Sequence, residues 1–498
     1  MSESSLQRKT FLGHPIGLYV LFFTEMWERF SYYGMRYILV LFLIKGLQWS
    51  EAAAYTTYGF YGMFVYLAGI PGGILADRYL GKKKAVFIGG IFQCIGHLLL
   101  AFEGLIPFFS GLVALIIGTG LIKSNISALV GALYKKGDPQ KDKGFGIFYT
   151  GINIGALLAG FIVTTVAELK GWHYGFSLAA IGMVIGMTAY VLFQHYIPVP
   201  EDENISEGGL KKVGLASLAS SLVLGALFFG VTMLGYGDAI LAYVQQYRGL
   251  ILNGMAVLFT LIIIRYLIHF RMNTKLQAEK DRIIALGIAL FMAFIFFVGF
   301  EQAGGLLTIY CEKYTNRAFG PWTLPASSGQ NFNPLFIVMF ATLVSTFCVY
   351  LKKRSKYYNA TFQMALGNII MGLGFLFMIG ACLQREGAID PNTAQSGLYW
   401  LVGAYFFHSI GELFLSPVIL SFATNLAPKG ASSMILGIVF AVFGLSNHFA
   451  AQFGALSENY SEKTLFFIAF AIPFFCGLLF LFLNKKVIAL THGAEQEE

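Results

Sequence analysis

Apolar runs long enough to cross a bilayer follow one another along almost the whole of this 498-residue chain. A helix needs about 20 mostly apolar residues to span the hydrocarbon. Only helices and closed barrels satisfy their own backbone there. Hydrophobic residues make up 57% of the chain and charged residues only 12%, where a soluble domain carries about a quarter charged. The pattern predicts an all-α membrane protein with fourteen spans, near residues 15–44, 55–77, 84–103, 107–134, 144–168, 173–195, 212–234, 249–271, 283–310, 332–351, 359–383, 397–424, 432–455 and 463–484. The first run is too long, too charged and too poor in small residues to be a cleaved signal peptide. Cys94, Cys311, Cys348, Cys382 and Cys476 stand far apart, without metal or redox spacing.

Charge placement orients the bundle. Of the 34 Lys and Arg, 24 fall in one set of loops and tails, including Arg8, Lys9, Lys82–Lys84, Lys135, Lys136, Lys211, Lys212, Lys275, Lys352–Arg354, Lys356, Lys429, Lys485 and Lys486. Seven fall in the alternate loops: Lys45, Lys170, Arg248, Lys313, Arg317, Arg385 and Lys463. Positive loops stay inside, so both termini are expected to be cytoplasmic and the protein to be a multi-pass cell (inner) membrane protein among lipid. This distribution, rather than the net charge of +8, argues against nucleic acid as a partner. Polar breaks at 196–211 and 271–282 divide the chain. The expected layout is a six-helix bundle over 1–196, a linker with two inserted transmembrane helices over 197–281, a second six-helix bundle over 282–490, and a cytoplasmic tail over 491–498.

Seven ionisable residues lie inside spans: Glu25, Glu28, Arg29 and Arg36 on the first, Lys123 on the fourth, Glu301 on the ninth and Glu412 on the twelfth. At roughly 2.5–3.5 kcal/mol each, leaving all of them unpaired would cost about 20 kcal/mol, more than a typical domain's stability. At 3.6 residues per turn, Glu25, Glu28, Arg29, Tyr32, Tyr33 and Arg36 share one side of the first helix. Four acids and three bases spread over four helices exceed what helix register needs. A wet cavity on a transport path is the better default. No nucleophile elbow, zinc spacing or Walker loop marks an enzyme, and charges of mixed sign do not make a channel's like-charge ring.

The run Glu25–Gly34, EMWERFSYYG, resembles the ExxERFxYYG signature of the proton-dependent oligopeptide transporter family of the major facilitator superfamily. Gly72-Gly73 through Ala76-Asp77-Arg78 to Gly81 is similar to that family's second-span motif. Phe148-Tyr149 with Ile152-Asn153 and Gly155 is similar to its FYxxINxG. Lys123 in GTGLIKSN, Glu301 in FEQAG, Asn333-Pro334 and Glu412 in GELFLSP stand where the family has them. The resemblance implies the major facilitator fold, two six-helix bundles with two extra helices between them. Once the insert is removed, the buried charges fall on core helices 1, 4, 7 and 10, which line the cavity of that fold.

The resemblance also implies roles. The chain would be a proton-coupled symporter importing di- and tripeptides by alternating access, working as a monomer on a proton gradient without cofactor or metal. Another small solute, such as nitrate, an amino acid or a peptide-like compound, is the alternative. Glu25, Glu28, Arg29 and Glu301 would couple protons. Arg29, Tyr32, Tyr33, Arg36, Tyr66, Lys123, Asn153, Asn333 and Glu412 would contact substrate. Arg36–Glu301 and Lys123–Glu412 would be gating pairs. Gly72, Gly73, Asp77, Arg78 and Gly81 would form a conformational latch. The chain departs from the family at Phe297, where tryptophan is frequent, at Val439-Phe440 with Ser446-Asn447, at Ser328-Gly329-Gln330 and at Asn425. His97, His173, His408 and His448 are expected to be packed or interfacial.

Overall fold

The computed structural model describes residues 10–134, 138, 140–198, 237–274, 276–355, 358–390, 393–428 and 432–494. The expected span 212–234, most of the break at 196–211, the end of the tail, and Arg8, Lys9, Lys135, Lys136, Lys211, Lys212, Lys275, Lys356 and Lys429 lie outside these residues.

The first half comprises α1 (Ile16–Leu41), α2 (Glu51–Leu67), α3 (Gly69–Leu75), α4 (Lys82–Leu100), α5 (Leu105–Ala132), α6 (Gln140–Lys170) and α7 (Trp172–Phe193). α8 (Gly237–Asn273) follows. The second half holds α9 (Gln277–Phe300), α10 (Leu306–Tyr314), α11 (Phe332–Arg354), α12 (Ala360–Glu386), α13 (Leu398–Leu426), α14 (Ser432–Ala455) and α15 (Glu462–Ala489). Side-chain caps start three of them, where Ser50, Asn359 and Ser461 accept from the backbone N–H of Ala53, Phe362 and Thr464 and so occupy otherwise unpaired first-turn donors. Six two-residue strands pair in the connections.

Eleven described helices are long and apolar enough to cross a membrane. Two further expected spans miss that measure for identifiable reasons. α1 carries Glu25, Glu28, Arg29 and Arg36 within 26 residues. α2 has 17 residues, and the chain continues past Ala68 as the separate helix α3. Length and hydropathy therefore do not by themselves reproduce the count of fourteen.

The packing sorts these helices into two groups. α1 lies against α6 and α7, and α4 against α5 and α7; α12 lies against α13 and α15, and α9 against α12 and α14. The groups meet where α2 packs on α14 and α6 on α11. α8 touches α9 and α14 and turns Val257, Leu258 and Leu261 outward, the apolar exterior expected of a helix facing lipid.

Two breaks shape the centre. The expected span 283–310 is interrupted. α9 stops at Phe300, Glu301–Gly304 form a 3-10 turn, and α10 starts after Gly305 at φ −118°, ψ −98°. A side chain at Gly304 would collide with the Tyr58 hydroxyl, so glycine there lets Tyr58 of α2 reach Arg36 beside Glu301. Gly155 is the second close approach. A Cβ there would run into the Met26 carbonyl and lie 3.1 Å from the Arg29 Cβ, as expected where small residues let membrane helices touch. Gly155→Ala is expected to push α6 off α1 and cost about 1–3 kcal/mol, seen as a lower unfolding midpoint of the purified protein in detergent.

Candidate substrate and ion site

α1 supplies most of the site. Its sequence puts an acid or base on the same face at nearly every turn from Glu25 to Arg36, and each finds a partner. Arg29 Nε lies 3.1 Å from Glu25 Oε1 and also meets Glu28. Gln93 Nε2 on α4 donates to Glu28 Oε1 at 2.8 Å and lies 3.1 Å from Thr119 Oγ1 on α5. The Arg29 guanidinium stands 5.0 Å from the centre of the Tyr32 ring, and one of its terminal nitrogens is buried without a hydrogen-bond partner. Two turns on, Arg36 pairs with Glu301 and donates from Nε to the Tyr58 hydroxyl at 2.8 Å. This ion pair joins the two halves.

Tyr33, Arg36, Glu301, Asn333 and Glu412 line one cavity of about 70 Å³, together with Tyr37, Tyr405 and His408. Asn333 Nδ2 donates to Glu412 Oε2 at 2.9 Å and to Ser409 Oγ at 3.0 Å. A larger cavity of about 670 Å³ begins at Glu412 and runs past Tyr149 to Lys352 and Asn425. The Asn153 side chain donates to the Tyr149 carbonyl on its own helix at 3.0 Å.

Lys123 and Glu412 are not brought together. The Lys123 ammonium stands 4.0 Å from the centre of the Tyr66 ring and 5.7 Å from that of Phe440, while Glu412 takes Asn333. An aromatic face attracts a cation, and Lys123 forms no ion pair among the described residues. Of the expected latch residues, Asp77 is 64% exposed and among the described residues pairs with Lys82, at 3.5 Å. Gly72 packs against the backbone of Gly120, and Gly81 sits at φ +78° between a π-helical turn and α4. The Arg78 side chain lies outside the described atoms.

The end of the bundle away from Lys352 is closed by charges. Lys45 pairs with Glu312, and Arg317 Nη2 with Glu312 at 3.0 Å; Arg317 also lies 3.9 Å from Glu168, and Lys313 pairs with Glu51. The Glu168 carboxylate accepts from the backbone N–H of Ala326 at 3.1 Å and of Ser327 at 3.0 Å. Ser328, at a departure from the family pattern, donates to the Gly160 carbonyl at 2.8 Å. Thus α6 is stitched to the segment before α11.

Residues 83–471 match the POT family. An uncharacterized transporter of Bacillus subtilis, YclF, is 35% identical, the alignment covering 97% of this chain and 96% of that one. A di-/tripeptide transporter of Lactococcus lactis subsp. cremoris is 32% identical over 98% and 99%. Among solved structures, a variant of peptide transporter POT in complex with alafosfalin is 31% identical, with a TM-score of 0.83 over 98% of this chain and 99% of that one. The chain belongs to the POT family. It is therefore a multi-pass membrane transport protein and not an enzyme.

Family membership makes sense of why so many costly charges are retained, and shows which partners the sequence reading passed over. Gln93, Thr119, Tyr58 and Ser409 are neutral, so a search for ionisable residues in spans does not find them. The closing network hid differently: Lys45, Lys313 and Arg317 read as orienting charges, and their acids Glu51, Glu168 and Glu312 lie at helix ends. At the departure sites, Phe297 packs 4.2 Å from Phe443, and Phe443 in turn 6.1 Å from Tyr66, centre to centre.

Breaking a buried ion pair leaves a lone charge and costs about 3–5 kcal/mol, whereas replacing both partners with apolar side chains is often neutral. Arg36→Met and Glu301→Met are each expected to lower stability by that amount, and the double variant to recover most of it. Unfolding of the four proteins in detergent measures the cycle.

Proposed function

We propose that this protein is a proton-coupled symporter that imports di- and tripeptides by alternating access. A zwitterionic peptide carries one charge of each sign. Arg29, with its unpartnered nitrogen, and Lys123, which stands over aromatic rings, suit the carboxylate. Glu412, whose described partner is the neutral Asn333, suits the amino terminus. Tyr32, Tyr33, Tyr66 and Asn153 suit the peptide backbone between. The single observation carrying this reading is that Glu412, an acid whose described partner is neutral, lines both cavities, the smaller of which it shares with the Arg36–Glu301 pair.

Proton coupling follows from the same geometry. When an acid beside Arg29 takes a proton, the guanidinium loses that partner and turns to the substrate carboxylate, so no lone ion is created. Glu301 couples similarly through Arg36. A membrane potential of 100 mV supplies about 2.3 kcal/mol per charge moved inward, enough for roughly a fiftyfold gradient. By the positive-inside rule the Lys352 end is cytoplasmic. The conformation is then open inward, with the ionic network of Lys45, Glu168, Glu312 and Arg317 sealing the outer end and the Asp77 latch disengaged. We further propose residence in the cell membrane with cytoplasmic termini, a monomeric unit, and the two-bundle division at 196 and 282.

Labelled di-alanine is expected to accumulate in proteoliposomes under an inward pH gradient, and an uncoupler to abolish the accumulation. A panel of peptides all excluded while another small charged solute enters would favour the second reading. The phenyl wall of Phe297, Phe440 and Phe443, where the family often has tryptophan at the first of these, leaves that reading a specific basis. Glu168→Ala frees the backbone N–H groups of Ala326 and Ser327. It is expected to raise labelling of a cysteine at position 328 by an impermeant maleimide several-fold in cells.

A further inference from the structure

The two acids of α1 are not equivalent, and a neutral residue on a neighbouring helix makes the difference. Glu28 is fully buried and both its carboxylate oxygens are taken. Arg29 holds Oε2, and Gln93 donates to Oε1 at 2.8 Å. Gln93 is itself buried and steadied by Thr119 Oγ1 at 3.1 Å. Glu25 is also buried, yet only Oε1 has a partner, Arg29 at 3.1 Å, while Oε2 has none. A proton on Glu28 would displace a donor from an oxygen that already accepts a hydrogen bond. A proton on Glu25 Oε2 displaces nothing and weakens only the longer of the two contacts to Arg29.

We propose that Gln93 is a positioning residue that keeps Glu28 as the standing anionic partner of Arg29 and leaves the proton to Glu25. The inference rests on the proton-coupled reading above and assigns the step within it. The proton binds Glu25 Oε2, the Glu25–Arg29 contact opens, and Arg29 keeps Glu28 while its terminal nitrogens turn to substrate. The other groups facing the acids are shared or too symmetric to make the distinction. Lys123 on α5 lies within electrostatic reach of both Glu25 and Glu28, and the phenols of Tyr61 on α2 and Tyr32 on α1 lie within reach of Glu28. On α6 and α7 the charged positions Lys141–Lys143, Glu168, Lys170 and His173 lie at helix ends, far along the chain from the middle of the span. Gln93 is the described side chain that touches one acid alone.

The test is pH-difference infrared spectroscopy of the purified full-length protein, which reads protonated carboxyl groups directly. On acidification the wild type should gain a buried-carboxyl band that Glu25→Gln removes and Glu28→Gln leaves in place. Gln93→Leu should add a second such band, and Glu28→Gln in that background should remove it. A Glu25→Gln spectrum that loses no band relative to the wild type, or a Gln93→Leu spectrum without the added band, overturns the proposal. If Gln93→Leu does not fold, Gln93→Met, of matching length and without the donor, serves for the same comparison. A purely structural role for Gln93 would lower stability without adding a titrating carboxyl. The spectra need no substrate, so a failure of peptide uptake and a failure of this assignment are told apart.

Discussion

The rest of the structure is organised around the charged face of α1. Within a low-dielectric span each ion needs a partner close by. Glu25, Glu28, Arg29 and Arg36 meet that demand by drawing other helices onto α1. α4 brings Gln93, α2 brings Tyr58, and the interrupted α9–α10 brings Glu301. The glycines follow from this. Gly155 lets α6 lie against the Arg29 turn, and Gly304 lets Tyr58 reach the Arg36–Glu301 pair. Close packing at these points serves the electrostatics, not the other way round.

How much of this was legible depends on what a residue costs in the membrane. Glu25, Glu28, Arg29, Arg36, Glu301 and Glu412 stand out because a charge in an apolar run is expensive, and their shared helical face follows from period alone. The same charges disguise α1 when spans are judged by hydropathy, since the feature that makes it central also lowers its apparent apolarity. Gln93 and Tyr58 are inexpensive residues and carry no such signal; their importance appears only once another helix places a carboxylate or guanidinium beside them. The helix breaks were equally hidden. Nothing in FEQAGG distinguishes a 3-10 turn from a continuous helix until Tyr58 is seen to need the space. The resemblance of Arg36 and Glu301 to a family pair is matched by their contact. The corresponding expectation for Lys123 and Glu412 is not met in this conformation, because each has found a neutral partner that involves no movement of the halves.

The two ends of the bundle are built from different chemistry. At the Lys45 end, Glu168, Glu312 and Arg317 form a chain of carboxylates and cations that crosses between the halves, with the backbone N–H groups of Ala326 and Ser327, before α11, held by one carboxylate. These groups are half-buried, so each bond is worth less than a fully desolvated one but less is lost when it opens. At the Lys352 end Asp77, expected to belong to a latch, is largely exposed. The ionic network at the rim and the Glu25–Glu28–Arg29 cluster at the centre differ in how far they are withdrawn from solvent. On the alternating-access reading, the rim would open and close at modest cost, while the central charges would change partners within reach.

That constraint explains why Lys123 rests on Tyr66. A lone ammonium at mid-span would carry a penalty of several kcal/mol. The ring faces of Tyr66 and Phe440 offset part of it without a counter-ion, and the 670 Å³ cavity that begins at Glu412 keeps the opposing acid in reach of water. On the alternating-access reading, closing that cavity removes the water from Glu412 and brings α5 and α13 toward each other. The cation then has a carboxylate to leave the ring for, and the carboxylate has a cation to replace its hydration. With a peptide bound, its own two charges meet the same two needs. Substrate and helix closure are in this sense interchangeable partners for one pair of side chains, and a carrier that can satisfy its central charges either way can close whether loaded or empty only to the extent that the two solutions are energetically matched.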